Sequence, residues 1–197
     1  IMPSLVGSEM CIRDRVYAPA FTNYVEGIYV GYKYYETAAQ EGAIDYDKTV
    51  QYPFGYGLSY TEFEQKMGEL EEKDGQISVD VEVTNTGDVA GKDVVEVYYK
   101  PPYTNGGIEK SSANLIEFAK TDLLQPGESQ TVTVTFSIED MASYDENNAK
   151  AYVLEKGDYV ISINSDSHTV LDQKTYTADK DVVYKGENKR ASDDTAA

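Results

Sequence analysis

The chain has 197 residues, of which 17 are Lys or Arg and 35 are Asp or Glu, so that its formal net charge is -18 and its pI about 4.3. A surface this acidic repels nucleic acid phosphates and anionic lipid head groups, and no apolar run approaches the roughly 20 residues that span a bilayer. We therefore expect no nucleic acid or membrane partners. The length of 197 residues predicts one domain with a substantial core and a smaller appendage.

Residues 1–15, IMPSLVGSEMCIRDR, differ in character from the rest of the chain. They contain Cys11, the single cysteine, which cannot form an intrachain disulfide, and they show no periodicity that continues downstream. The string resembles translated sequencing-adapter DNA, and it lacks the charged, apolar and cleavage regions of a signal peptide. We interpret it as a non-native leader, so the localisation of the protein stays unknown.

Residues 16–61 contain two blocks dense in tyrosine and glycine, EGIYVGYKYYE at 26–36 and YPFGYGLSYT at 52–61, joined by a polar stretch that is typical of a loop. Gly31, Gly55 and Gly57 permit positive φ angles or close backbone approach, which predicts an ordered but irregular crossing. Tyrosine combines a large apolar face with a hydroxyl group that needs a partner when buried, which suits a seam between domains better than a sugar-stacking platform. The candidate seam residues are Tyr29, Tyr32, Tyr34, Tyr35, Tyr52, Phe54, Gly55, Tyr56, Gly57 and Tyr60.

Residues 62–180 alternate between short apolar-polar runs and turn signals. The clearest strand covers 76–84, because Ile77, Val79, Val81 and Val83 fall on one face. Further strands are expected at 63–70, 94–99, 115–124, 131–136, 151–154, 159–163 and 169–177, with a short helical turn within 138–144 and a hairpin-like connection at 155–158. About seven strands spaced 8 to 12 residues apart predict a mainly β fold, an antiparallel β-sandwich. Residues 181–197 are polar and are expected to form a linker or tail.

Side chains that could carry chemistry are few. His168, the single histidine, is expected to be a turn or strand-edge residue, since a histidine metal site needs further ligands. Acidic pairs, which favour turns and solvent, occur at Asp45 with Asp47, Asp145 with Glu146, and Asp193 with Asp194. None has the ligand spacing of an EF-hand, and no serine elbow, phosphate loop or dinucleotide fingerprint occurs. We predict no catalytic residue, no cofactor and no metal site in this chain.

The two aromatic blocks, their order and the β pattern that follows Thr61 resemble the end of the second domain and the fibronectin type III-like domain of glycoside hydrolase family 3, the β-glucosidase and β-xylosidase family. The resemblance covers roughly residues 17–180 and is most specific in the two blocks. It implies that 16–61 end an α/β domain and that 62–180 form an immunoglobulin/fibronectin type III-like sandwich. It also implies a retaining glycosidase with its nucleophile aspartate in a barrel and its acid/base in the second domain, and neither motif is present here.

The predicted function is accessory and structural: this part of a glycosidase would brace the catalytic domains, which are its expected partners, and meet carbohydrate only through them. The polypeptide alone is expected to be inactive. The alternative is a carbohydrate-binding or adhesion sandwich that uses exposed tyrosines such as Tyr98, Tyr99 or Tyr103. Adjacent Tyr98 and Tyr99 point to opposite faces of a strand, so one of them can be exposed. Sugar sites normally present several coplanar aromatics, and this chain has no tryptophan.

Overall fold

The computed structural model describes residues 27–190. The leader at 1–15, residues 16–26 of the predicted segment 16–61, and residues 191–197 with the Asp193–Asp194 pair lie outside the described part of the chain. Within the described residues, two short helices come first and ten strands follow. The elements are α1 (Tyr32–Gln40), α2 (Tyr46–Thr49), β1 (Phe63–Lys73), β2 (Gln76–Asn85), β3 (Val94–Lys100), β4 (Asn114–Lys120), β5 (Ser129–Ser137), β6 (Ser143–Asp145), β7 (Ala151–Leu154), β8 (Gly157–Asn164), β9 (Val170–Ala178) and β10 (Val182–Tyr184). Short 3-10 helices occupy Ile138–Met141 and Gly186–Asn188.

The strands form three antiparallel sheets, which confirms the predicted mainly β sandwich. One sheet has the order β1-β2-β5, the second has the order β4-β3-β8-β9, and a small third sheet has the order β10-β7-β6. None of the helices in residues 27–190 is long and apolar enough to cross a membrane.

The core lies between the two larger sheets. As the period-two pattern predicts, Ile77, Val79, Val81 and Val83 of β2 are each at most 1% exposed, and they share one cluster with apolar residues of β3, β5 and β8. Val79 pairs with Val134 across the β2-β5 ladder, and Val81 pairs with Val132. Burying such a side chain contributes about 1.5–3 kcal/mol, so this face fixes the register of the sheet.

The expected irregular aromatic segment contains a helix that the sequence pattern did not predict. Residues 32–40 form α1, and Gly31, with a φ of 56°, is its N-cap residue. Only Glu36 is buried in α1, so the helix has no apolar stripe from which a 3.6-residue period could be recognised. Ala38, Ala39 and Gln40 are nevertheless strong helix formers.

Three expectations about the strands are corrected. The connection at 155–158 is not a hairpin, because β7 pairs with β6 and β10 while β8 pairs with β3 and β9, so the chain changes sheets there. The strand expected at 115–124 ends at Lys120, and only an isolated bridge joins Leu124 to Gly91. Part of the expected tail is ordered, since β10 pairs with β7.

Candidate functional site

The aromatic segment, here residues 27–61, lies across the outer face of the β4-β3-β8-β9 sheet. On β3 the core receives Val95, Val97 and Tyr99, so Glu96 and Tyr98 point to the opposite face. Both of these outward side chains contact the segment, as described below. The segment therefore covers a sheet face that would otherwise be exposed to solvent.

Three aromatic rings form the centre of this contact. Tyr32 of α1 stacks on Phe54 with ring centroids 4.7 Å apart, and it meets Tyr98 edge-on at 6.1 Å. The backbone N–H of Leu115 donates to the Tyr32 hydroxyl oxygen at 2.9 Å. Burial raises the pKa of both tyrosine hydroxyls, which stay neutral. Tyr98 is consequently only 2% exposed although it points away from the core.

The turn at Phe54 and Gly55 passes directly over Glu96. The backbone N–H of Ser167 donates to the Phe54 carbonyl at 2.7 Å. Gly55 has a φ of 87°, and a Cβ built on it would lie 2.6 Å from a carboxylate oxygen of Glu96. Desolvation by burial raises the pKa of Glu96, while the hydrogen bond that it accepts from the Tyr98 hydroxyl lowers it. The positive φ favours glycine at this position, and a larger residue would in addition have to displace the end of the Glu96 side chain.

A second contact, the Glu36 cluster, consists of Glu36, Tyr46, Ser167 and His168. Oε1 of the buried Glu36 accepts from the Tyr46 hydroxyl at 2.6 Å and from the Ser167 hydroxyl at 2.9 Å. His168 Nδ1 lies 2.9 Å from Glu36 Oε2, and its ring stacks on Tyr46 with centroids 3.7 Å apart. The cluster joins α1, α2 and the β8-β9 loop. His168 occupies the turn expected of it, but its partners were not predicted.

The segment also forms hydrogen bonds with the loop that follows β3. The Tyr29 hydroxyl donates to Glu109 Oε2 at 2.6 Å, and the backbone N–H of Ser112 donates to Thr37 Oγ1 at 3.0 Å. Within that loop Lys110 is buried, donates to the Pro102 carbonyl and pairs with Glu155. The loop is therefore partly packed against the rest of the chain.

The last residue of the segment is held by a buried asparagine. Thr61 Oγ1 donates to Oδ1 of Asn85 at 2.7 Å, and the Asn85 amide donates to the carbonyls of Val89 and Leu124. Asn85 is fully buried and uses both ends of its amide. Its contact with the segment has no signal in the sequence, because Thr61 and Asn85 lie 24 positions apart.

The other side of the segment is exposed. Tyr52 and Tyr56 contact each other with ring centroids 5.2 Å apart, and Tyr34 meets Tyr35 edge-on at 5.3 Å. Leu58 is 90% exposed and Tyr60 is 98% exposed. Of the candidate seam residues, Tyr29, Tyr32 and Gly55 contact the sandwich, and Phe54 contacts it through its backbone carbonyl. The side chains of Phe54, Tyr34, Tyr35, Tyr52, Tyr56 and Tyr60 are exposed, Phe54 by 49% although it stacks on Tyr32. Gly57 has neither a positive φ nor a close neighbour, contrary to the expectation for it.

Tyr98, Tyr99 and Tyr103, the tyrosines named for the alternative carbohydrate-binding function, do not form one exposed face. Tyr98 is covered by Tyr32, and Tyr99 packs against the core. Tyr103 is exposed, on the loop after β3. Two of these three side chains are therefore engaged within the protein.

The carboxylates described in this paragraph form hydrogen bonds or ion pairs with other groups of the chain. Glu36 and Glu96 each accept hydrogen bonds from hydroxyl groups of the same chain. Asp145 accepts from the backbone N–H groups of residues 147, 148 and 149, which lower its pKa, as expected of a turn. Asp45 forms an exposed ion pair with Lys48. Within residues 27–190, no group of three or more His, Cys, Asp or Glu side chains is placed to hold a metal ion.

Comparison with known proteins agrees with this architecture. Residues 93–167 match the model of the fibronectin type III-like domain. Beta-glucosidase A of Butyrivibrio fibrisolvens is 40% identical over 182 residues, which are 83% of this chain and 21% of that protein. The Kluyveromyces marxianus beta-glucosidase structure in complex with glucose has a TM-score of 0.72 at 34% identity, with 83% of this chain and 18% of that chain covered.

A further structure, the GH3 beta-glucosidase of Bifidobacterium adolescentis, has a TM-score of 0.67 at 31% identity and is matched over 78% of this chain and 21% of its own. This chain therefore spans about a fifth of the length of the relatives that it matches. The resemblance predicted from the two aromatic blocks is confirmed.

Proposed function

We propose that this chain, a segment of a glycoside hydrolase family 3 β-glucosidase-like protein that includes the fibronectin type III-like domain, is an accessory and structural part that braces the catalytic domains of that protein. Catalysis would belong to the remaining four fifths of the relatives' length. The chain would contribute no catalytic carboxylate of its own.

The observation that carries this proposal is the two-sided arrangement of the aromatic segment. One side is fixed to the sandwich by the ring stack, the turn over Glu96 and the Glu36 cluster. The other side leaves Tyr52, Tyr56 and Tyr60 exposed. Large exposed aromatics that are clustered and held in place are typical of a surface that another protein body covers.

The surroundings of the carboxylates support the absence of catalysis in this segment. A retaining glycosidase needs a nucleophile and an acid/base carboxylate about 5–5.5 Å apart, flanking the bond that is cleaved. Glu36 is enclosed by three side chains that occupy its oxygens, and Glu96 lies beneath Gly55. Neither is arranged to reach a glycosidic oxygen.

The proposal is tested by assaying this polypeptide and the full-length parent protein side by side on an aryl β-glucoside and an aryl β-xyloside. We expect hydrolysis by the full-length protein and none by the polypeptide. Activity of the polypeptide would contradict our account of its carboxylates. Inactivity of both proteins would instead favour a binding or adhesion module.

A further inference from the structure

A cavity of about 470 Å³ lies between the helices of the aromatic segment and the outer face of the β4-β3-β8-β9 sheet. Residues of α1, among them Glu36 and Ala39, line one side of it, and side chains of β3 and β8 line the other. Small-molecule sites in proteins are clefts of about 300–1,000 Å³ that combine apolar walls with a few polar groups. The cavity has the size of such a site.

Two buried polar side chains of β8 line the cavity without a hydrogen-bond partner. On β8 the core receives Tyr159, Ile161 and Ile163. Ser162 and Asn164 therefore point to the opposite face, where both line the cavity, and they are 7% and 2% exposed. Within residues 27–190, Asn164 Oδ1 accepts no hydrogen bond, and the Ser162 hydroxyl forms none either. A buried polar group without a partner is unfavourable, so this side of the cavity favours a ligand that can form hydrogen bonds.

The other lining groups define the chemistry of that ligand. Glu36 and Lys100 carry opposite charges, and both oxygens of Glu36 already have partners in the Glu36 cluster, which favours a neutral molecule. Ile44 and Val160 provide apolar wall for its carbon atoms.

A hydroxyl group suits the two unpartnered side chains, because it can donate to the amide oxygen of Asn164 and can donate to or accept from the hydroxyl of Ser162. Alternate residues of a strand lie about 6.7 Å apart, so one hydroxyl group cannot serve both. The ligand that fits therefore carries several hydroxyl groups on an uncharged carbon frame.

We propose that this cavity is a binding site for a neutral, polyhydroxylated small molecule of the size of a monosaccharide, with Ser162 and Asn164 as its hydrogen-bonding residues. The site differs from the exposed tyrosines of the alternative function, because it lies beneath the aromatic segment and not on its outer side. The inference goes beyond the proposed function and does not rest on it, since a chain that braces the catalytic domains needs no ligand of its own.

The test is an NMR titration of the ¹⁵N-labelled 197-residue chain with D-glucose, followed through the backbone amide signals. We expect saturable shifts confined to residues that line the cavity, with a dissociation constant of about 1–10 mM, as is usual for so small a ligand. The absence of saturable shifts up to about 100 mM glucose would overturn the inference. Shifts centred on the exposed Tyr52 and Tyr60 would overturn it as well, because the sugar would then lie on the other side of the segment.

Two substitutions in β8 test the assigned residues. Asn164→Leu replaces the amide with an apolar side chain of similar size, so binding should weaken by about tenfold or more. The melting temperature of the ligand-free chain should stay unchanged or rise, because a buried oxygen without a partner is removed. Ser162→Ala should also weaken binding without destabilising the chain. Unchanged affinity in both variants would overturn the inference.

Ala39→Phe tests the cavity from the opposite side, since it narrows the space next to α1 and leaves both polar side chains of β8 in place. It should weaken the binding of glucose. Ser78→Ala is the matched control, because Ser78 lies on β2 of the other sheet, where its hydroxyl is hydrogen-bonded to Thr135. It should leave the affinity unchanged, and an equal loss with Ser78→Ala and Ser162→Ala would contradict the assignment.

Two further probes define the ligand class. Glucuronate, which adds a carboxylate to the same ring, should bind more weakly than glucose, because Glu36 and the net charge of -18 repel it. Equal or tighter binding of glucuronate would overturn the assignment to a neutral ligand. A free monosaccharide and the end of an oligosaccharide present the same hydroxyl groups, so cellobiose distinguishes them. Binding of cellobiose at the cavity as tight as that of glucose assigns the site to chain ends, and failure of cellobiose to bind assigns it to free monosaccharides.

Discussion

Gly55 and Gly57 lie two positions apart in the same block, yet only Gly55 has a backbone conformation that favours glycine. Gly55→Ala places a methyl group 2.6 Å from the Glu96 carboxylate at a φ of 87°. We expect it to lower the free energy of unfolding of the chain by about 1–3 kcal/mol. Urea denaturation of the purified chain measures this difference.

Gly57→Ala is the matched control for that substitution. No atom lies within 4 Å of the position where its Cβ would stand, and its φ is in the ordinary range. Reduced freedom of the unfolded chain should make the change neutral or stabilising by up to about 1 kcal/mol. Equal destabilisation by both substitutions would show that the close approach to Glu96 is not what selects glycine.

At the level of single residues, the sequence indicated which side chains matter but not what they contact. Tyr32 and Phe54 were recognisable as packing residues because of their size. The partners of Glu36 were not, since Ser167 and His168 follow it by 131 and 132 positions. A buried carboxylate in a helix without an apolar stripe leaves no periodic signal, so only the folded chain shows the cluster.

At the level of elements, the Glu36 cluster joins both helices to the β8-β9 loop. Glu36→Ala would remove the hydrogen-bond acceptor of the buried Ser167 hydroxyl and of the partly buried Tyr46 hydroxyl. We expect a loss of about 1–3 kcal/mol in the free energy of unfolding, together with faster amide exchange in α1 and α2. Denaturation and hydrogen exchange of the chain measure the two effects.

Glu64→Ala provides the comparison, because Glu64 is an exposed carboxylate of β1 that pairs with Lys66 at the surface. Its removal should change stability by no more than about 0.5 kcal/mol. If Glu36→Ala were equally mild, or if amide exchange rose in the sandwich rather than in the helices, the cluster would not be what holds the helices in place.

The predictability of the elements followed the strength of their patterns. β2 and β5 alternate strictly and were predicted almost to their ends. β10 has three residues in a polar context, and its pairing with β7 depends on the chain changing sheets after Leu154. Local periodicity carries no information about which sheet a strand joins. The sequence therefore predicts a hairpin at 155–158, where the chain in fact changes sheets.

At the scale of the whole molecule, the two blocks and the β pattern were sufficient to identify the related family and the sandwich. The two sides of the aromatic segment could not be distinguished from sequence, because tyrosine serves equally well on a packed or an exposed face. The structure gives the two rings different neighbours, since Phe54 stacks on Tyr32 and Tyr56 contacts Tyr52, while both side chains are about half exposed. Because Phe54 and Tyr56 contact different rings, substituting each of them tests a different part of the proposed seam.

Phe54→Ala should lower the melting temperature both of the isolated chain and of the full-length parent, since its stack on Tyr32 lies within this chain. Tyr56→Ala should lower that of the parent more than that of the chain, because it removes the internal contact with Tyr52 in both and the proposed contact with the catalytic body in the parent alone. In the parent, both changes should reduce thermal stability more than they raise KM for an aryl β-glucoside. Calorimetry and steady-state kinetics on the same preparations provide the two readouts.

Tyr144→Ala is a suitable control, because Tyr144 is similarly exposed but lies on β6 of the small sheet, where its contact with Tyr152 is internal. Its effect should therefore be the same in the chain and in the parent. A parent that kept its stability but lost substrate affinity with Tyr56→Ala would indicate direct contact with the sugar. Because a brace acts on the stability of the assembly and a substrate contact acts on KM, the ratio of the two effects decides between a structural seam and a binding surface.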